Sequence, residues 1–548
     1  MLNVFTYQIF YFYIFLVGRA FYFLINKVFN KSKNSKDDEP IFNLPIRLFY
    51  PFLGLFGIGN VVFLLNFFTG VNNTIFNIFL FLLVVLFNYR NYEFFDNVKT
   101  FSINFILIPG FLAISSLNIG FARDAGGYHL NFQNWLSNKP ITSGLYLLNP
   151  QYGFTSILDY VNTIFSIGSS YIVLHYVNLV FISSILSICI FTLTENKNVN
   201  YKIFGLMIII FGILDNFGFN GGKNGFIEID SVPKQDSAFT IISIFLFVIF
   251  TFILTENNFI INKIEFTTIC FLSFFAFQLR TLGFLYYLLL LYVFFKSQLH
   301  KDYKSYTKPI VGFLILNILW LIKNVLMTSC LIFPVKQLCF KSLPWSNIEL
   351  VALSSNDLLR KWHGAYSFGS FTDWFNKWIH NQINLTFSIN FLISLLLALL
   401  LLSFVSRFRF KFSKNYIILF IFIFLNFFFW ITTAPAVRLG NSIFLNFALL
   451  MMLCVNADLQ FSNKFKSVSI VFLLMVSFSL PRFENYGQLL ENSMFVNDLR
   501  VEKVSYIKNQ DFGVSPVDGV SCWVNISCKN KGRNAKLINT TFFNYFIP

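Results

Sequence analysis

SAFTIISIFLFVIFTFILT, residues 237–255, carries no charged side chain from end to end. A helical run of about 20 apolar residues crosses the roughly 30 Å of hydrocarbon in a bilayer. Comparable runs recur near residues 4–26, 47–69, 73–89, 101–120, 170–192, 201–216, 264–279, 282–296, 309–326, 387–406, 415–433, 440–456 and 467–481. Backbone in hydrocarbon must satisfy its own polar groups, which continuous apolar runs do as helices; barrel strands alternate polar and apolar residues instead. The chain therefore reads as an all-α polytopic membrane protein with about 14 transmembrane helices, within a range of roughly 11 to 14.

Composition agrees. Of the 548 residues, 56% are hydrophobic and 12% charged, against about 25% charged in a soluble domain, so a water-soluble fold is excluded. The 78 Phe, with abundant Asn, Ile and Lys, reflect the residue usage of an AT-rich genome rather than an aromatic binding surface. The net charge of +16 sits in loops between apolar runs, where it orients a membrane protein and does not indicate nucleic acid. The run at 4–26 lacks a basic leader and a small-residue cleavage site and is expected to be a retained helix.

Orientation follows from three basic loops: Lys27, Lys31, Lys33, Lys36 and Arg47; Lys296, Lys301, Lys304 and Lys308; Arg407, Arg409, Lys411 and Lys414. With alternating spans all three fall on one side, which the positive-inside rule makes cytoplasmic. Residues 1–481 then form a transmembrane domain whose outer-face loops are 121–169, 215–236 and 323–386, and 482–548 is a short outer-face C-terminal segment. Cys189, Cys270 and Cys454 lie singly within spans, whereas Cys330 with Cys339 and Cys522 with Cys528 share outer segments. That division suits an oxidising exterior. The two outer pairs are read as disulfides or as free thiols, since neither spacing decides it.

The first outer loop, GFARDAGGYHLNFQNWLSNKPITSGLYLLNPQYGFTS from 120 to 156, carries the chemistry. Asp124, in a glycine-softened turn beside Tyr128 and His129, is placed to accept a proton from a sugar hydroxyl. The alternative is that Asp124 caps the following helix and pairs with Arg123. Arg280, Lys323 and Arg438 each lie at the outer end of a span, where a guanidinium or ammonium meets a lipid phosphate at headgroup depth; basic groups there also snorkel to headgroups with no site at all. Trp345, Trp362, Trp374 and Trp378, with Arg360, Lys361, His363 and His380, stand in the loop 327–386, where Trp either stacks on sugar rings or marks the membrane interface. His175 is read as a helix-to-helix hydrogen bond and Arg19 as an intramembrane charge in need of a partner.

The first loop resembles that of the large polytopic glycosyltransferases that use lipid-phosphate-linked sugars, the GT-C superfamily. More closely, RDAGGYHLNFQNWL at 123–136, WLIKNVLMTSCLIFPVKQLCFKSLPWS at 320–346 and APAVRLGNSIF at 434–444 resemble an uncharacterised bacterial polytopic family associated with surface-polysaccharide gene clusters. These stretches cover only about 60 residues. The resemblance implies a GT-C-like arrangement with membrane-parallel helices in the outer loops and Asp124 as the catalytic carboxylate. It also implies a second acidic position among Asp215, Glu228, Asp230 and Asp236, with Asp230 and Asp236 favoured. Asp124 and Asp230 are then the candidate ligands of a divalent ion, Mg or Mn.

The sequence contains no GxxxxGK[ST], HExxH or GxSxG motif, which leaves P-loop, zincin and serine-hydrolase chemistry without support. A sugar donor should therefore arrive already attached to lipid. The reading is an integral membrane glycosyltransferase, transferring a hexosyl or pentosyl group from a polyprenyl-phosphate carrier to a saccharide or lipid-linked acceptor in cell-surface polysaccharide biosynthesis. It would work on the periplasmic face of a bacterial inner membrane. The alternatives are an O-antigen-type polysaccharide polymerase and a lipid-linked oligosaccharide flippase or transporter; the latter expects ionisable groups along a mid-membrane path.

Overall fold

The computed structural model describes residues 2–30, 40–71, 73–88, 101–116, 120–121, 124–165, 171, 173–217, 232, 234–256, 260–297, 299–405, 414–455, 501, 504–509, 514–518, 521–529, 535–539 and 544–548. Among the described residues eight helices are long and apolar enough to cross a membrane: Asn3–Phe29, Ile46–Asn66, Leu174–Thr194, Gln235–Thr255, Tyr303–Thr328, Gln382–Ser403, Lys414–Thr433 and Val437–Cys454. Shorter apolar helices occupy Asn73–Asn88, Ser102–Ile114, Val199–Gly212 and Thr281–Lys296, and Lys263–Leu279 forms a further helix. The window at 467–481 lies outside the described residues.

Helices of similar apolarity divide between the centre and the rim of the bundle. Gln235–Thr255 is apolar on every face and is buried almost throughout. Tyr303–Thr328 and Gln382–Val405 stand at the periphery and expose Val311, Leu314, Ile315, Ile318, Leu392, Ile393 and Leu396, the surface that hydrocarbon covers. Without a hydrophobic force between helices in lipid, close backbone approach and side-chain hydrogen bonds do the joining. A Cβ on Gly18 would lie 1.7 Å from the Tyr50 carbonyl oxygen, and one on Gly54 2.5 Å from that of Ile14, so the first two spans touch backbone to backbone. Asn60 and Gln278 exchange two amide hydrogen bonds of 3.1 and 2.9 Å. Arg19 donates to Asn88 Oδ1 at 2.8 Å and lies over the Phe23 ring, and Ser116 Oγ is 3.2 Å from His175 Nε2.

The bundle has two unlike ends. At one, Phe42 N donates to Glu265 Oε1 at 2.9 Å, Tyr306 donates to the Ile261 carbonyl, and Lys296 and Asn415 both donate to the Leu254 carbonyl. The elements flanking all three basic loops therefore meet there. The N-terminus of Gln235–Thr255, residues 280, 433–437, 120–121 and 124–165, and the loop 329–381 occupy the opposite end.

The chain is mostly helical, with short strands that a wholly α reading did not expect. Tyr506–Lys508 pairs antiparallel with Val514–Pro516, and Lys536–Asn539 with Asn544–Ile547. These short polar-flanked pieces with β-branched and aromatic residues suit a pleated surface packed on one side. They and the segment 523–525 cover residues 126–143: Phe546 N donates to the Ser143 carbonyl at 2.9 Å, Trp523 N to that of Gly126 at 2.7 Å, and the Asn131 and Asn134 side chains to those of Asn525 and Val524. Cys330–Cys339 and Cys522–Cys528 are disulfides, and Cys189, Cys270 and Cys454 are buried thiols.

Candidate functional site

Asp124 opens a π-helical turn, Ala125–His129, which continues as the helix Leu130–Asn138; such turns are rare and gather at functional sites. Gly126 permits the local packing, since a Cβ there would meet the Trp523 indole at 2.5 Å. The turn leaves Asp124 Oδ2 3.6 Å from Lys234 Nζ. Lys234 immediately precedes Gln235–Thr255, and Asp236 stands in the first turn of that helix, where a carboxylate complements the helix dipole.

Two guanidinium groups converge on Asp236. Arg280 Nη2 approaches Oδ1 and Arg438 Nε approaches Oδ2, each at 3.6 Å. Arg280 caps the end of Lys263–Leu279; its Nη1 donates to the Leu439 carbonyl at 3.1 Å and the group lies over the Phe239 ring. Arg438 belongs to the first turn of Val437–Cys454, whose N-terminus has no side-chain cap. Two helix N-termini thus face the cluster, and together with arginine they favour an anion.

Exposure separates the members. Asp236 and Arg280 side chains are 13% and 16% exposed, whereas Asp124 and Arg438 are 37% and 41% exposed. A ligand arriving from outside meets the Asp124 carboxylate and the Arg438 guanidinium, with the other pair behind them as support. Burial, opposed by Asp236, lowers the Arg280 pKa. Tyr128 is pushed up by burial and then by the negative charges of Asp124, Asp236 and Asp159, so it remains a neutral hydroxyl donor at the edge of the cluster.

Behind Asp124 lies a buried layer. His129 Nδ1 is 3.2 Å from Asp159 Oδ1, and Asp159 Oδ2 accepts from Ser156 N at 3.1 Å in the capping box that starts Ile157–Thr163. Among the described residues His129 Nε2 has no hydrogen-bond partner. Lys323, expected at the phosphate, is fully buried and turned into this layer instead: Nζ donates to Thr155 Oγ1 at 2.8 Å and lies 3.7 Å from the Trp320 ring centre. One turn before the end of its helix, Lys323 points inward where Arg438 points out.

The tryptophans divide as well. Trp345 is buried, its indole donating to the Val325 carbonyl. Trp374 and Trp378 donate to the carbonyls of Gly364 and Pro435, while Trp362 is 81% exposed. The helix Phe371–Ile379 has no buried residue and aligns Phe371, Trp374, Phe375 and Trp378 on one stripe beside the span Gln382–Ser403, the pattern of an interfacial helix.

Glu228 and Asp230 lie outside the described residues, as does the Asp215 side chain. Sequence reasoning proposed Asp124, Asp236, Arg280 and Arg438, which meet in one cluster, and assigned no role to Lys234, Asp159 or His363. A Ser-x-x-Asp capping signal at 156–159 was present but speaks of a helix start, not of a partner for His129. Among the described residues no three or more His, Cys, Asp or Glu gather to hold a metal ion; of the two expected ligands, Asp124 faces Lys234 and Asp230 lies outside those residues.

No curated protein and no solved structure matches the chain. Residues 1–445 match the model of the family described as Domain of unknown function (DUF8201), and the chain belongs to that family.

Proposed function

We propose that the protein is a GT-C-type integral membrane glycosyltransferase that moves a sugar from a polyprenyl-phosphate carrier to a saccharide or lipid-linked acceptor at the cell surface. The observation that carries the reading is the convergence of Asp124, Lys234, Asp236, Arg280 and Arg438, from separate parts of the chain, at one end of a membrane bundle. Asp124 accepts the proton of the acceptor hydroxyl, with Lys234 holding the carboxylate in place. The oxygen attacks the anomeric carbon as the carbon–oxygen bond to phosphate breaks. Arg438, with Arg280 behind it, receives the negative charge left on the departing lipid phosphate. Tyr128 donates a hydrogen bond, and the Asp159–His129 pair supports the turn that carries Asp124.

The same reading has the basic loops facing the cytoplasm and the cluster facing the periplasm, with about 14 spans when the window at 467–481 is included. Phe371–Ile379 lies along the outer headgroup layer, beside the mouth of the site. No step requires a metal ion.

The test is single-turnover transfer in nanodiscs, with a panel of radiolabelled polyprenyl-phosphate sugars as donors and a membrane extract as acceptor. Wild type is expected to transfer at least one donor, and Asp124→Asn to lose about 10²- to 10⁴-fold in rate, the range of a positioned base. Full activity in a well-folded Asp124→Asn protein would remove Asp124 as the base; absence of transfer from every donor by folded wild type would overturn the reading.

A further inference from the structure

His363 stands on the turn after a π-helical segment, Ser354–Lys361; one bond ties that turn to the helix Lys414–Thr433, and the helix Phe371–Ile379 bridges it to the turn before Arg438. Tyr366 N donates to the Ile431 carbonyl at 2.8 Å, and Ala365 N to that of Arg360 at 2.8 Å. The Trp374 indole donates to the Gly364 carbonyl, Gly364 having a φ of 66°. The Trp378 and Trp430 indoles donate to the carbonyls of Pro435 and Ala436. Both carbonyls belong to the turn directly before Arg438. Gly364 and Pro435 thus accept from indoles one helical turn apart on Phe371–Ile379, which sets the half-buried imidazole of His363 beside the segment carrying Arg438, and its charged neighbours are Arg438, Arg280 and Asp236.

We propose that His363 is the third member of the anion site formed by Arg438 and Arg280, and that a phosphoryl group binding there brings one proton from solvent onto the imidazole. The inference rests on the phosphate-site reading above and adds a linkage to it. Two guanidiniums beside a half-buried ring disfavour a third positive charge; burial first, then Arg438 and Arg280, hold His363 below its ordinary range, with Asp236 opposing. An arriving anion reverses that balance, because its charge favours the imidazolium, which then donates a hydrogen bond to it. The other ionisable residues from 354 to 380 are Asp357, Arg360, Lys361, Tyr366, Asp373, Lys377 and His380.

The experiment is isothermal titration of the full chain in detergent at pH 6, 7 and 8, in buffers of different ionisation heat. The probes are inorganic sulfate, which does not titrate in this range, and inorganic phosphate, with farnesyl phosphate to distinguish a lipid headgroup from the free anion. Binding to wild type is expected to take up between about 0.5 and 1 proton at pH 7 and to tighten as pH falls, by at most about tenfold per unit. His363→Gln is expected to bind with no proton uptake from sulfate and a flat pH dependence, whereas Arg438→Gln loses binding. Tighter binding of farnesyl phosphate than of both inorganic anions identifies a lipid source; equal binding identifies a free anion. Uptake that persists in His363→Gln, or binding by wild type without uptake, overturns the role of His363 and leaves the phosphate site standing. Failure of folded wild type to bind any of the three overturns the phosphate site itself.

Discussion

Asp159 illustrates how a residue acts through a neighbour. Its two oxygens serve different masters, one a backbone N–H at a helix start and one the His129 ring, and both are buried. Asp159→Asn removes the charge from this pocket and is expected to cost about 1–3 kcal/mol, the range for disturbing a buried charged hydrogen bond. A lowered thermal midpoint in detergent checks this; an unchanged midpoint would show that the layer does not support the turn. His363 has its own signature in the free protein. Because its folded-state pKa lies below the ordinary value, the unfolded chain takes up a proton that the folded chain refuses. Stability therefore falls as pH drops below about 6.5. The thermal midpoint of wild type should decline more steeply than that of His363→Gln between pH 7 and 5, in the absence of anions.

Residue-level legibility followed charge and depth. Asp124, Asp236, Arg280 and Arg438 stood out because an ion at the end of an apolar run is conspicuous against its surroundings. Lys323 met the same criterion, yet its side chain turns inward, and a position along a run does not reveal which face of the helix a residue occupies. Asp159 and His363 sit inside the stretches read as the loops 121–169 and 323–386, where a charged side chain carries no contrast; His129 stands 30 positions from Asp159, and Arg438 and Arg280 stand 75 and 83 positions from His363.

At the level of elements, the helix windows were legible because hydrocarbon imposes a length and an apolar composition on anything that crosses it. The hairpins at 506–516 and 536–547 were not, since strands of three or four residues fall below any periodicity that a sequence can display. Helix contacts make the next prediction. A Cβ at Gly18 meets the Tyr50 backbone, which cannot move aside as a side chain can, whereas one at Gly110 has its nearest neighbour, a Gln8 side-chain nitrogen, at 3.5 Å. Gly18→Ala is expected to destabilise by about 3 kcal/mol or to prevent assembly, and Gly110→Ala to be nearly silent, by detergent-solubilised yield and thermal midpoint. The Asn60–Gln278 pair offers a second comparison. Changing either residue alone to Leu strands the other's amide and should cost about 1 kcal/mol, with much of the loss recovered when both are changed.

Across the whole molecule, the site is a product of both ends of the chain. The turn at 124–129 rests on the clamp built by Trp523, Val524 and Asn525, and Cys522–Cys528 closes the small loop that holds these three together. Replacing both cysteines by Ser is expected to free that loop at a cost of about 2 kcal/mol and to reduce transfer while leaving the membrane bundle intact. A circular dichroism spectrum unchanged in helix content, beside reduced activity, is the expected pair of results; retained activity would show that the clamp is dispensable.

The clamp also places a clock on biogenesis. Asn131 waits for a partner 394 positions downstream, and at about 5–20 residues per second of synthesis that interval is on the order of 20–80 s. Toward its end every described span can already lie in the membrane while the turn bearing Asp124 still lacks its cover. A stretch read long after the loop 121–169 is thus the one that finishes it, and a chain lacking residues 521–529 would yield an inserted bundle with an unfinished pocket.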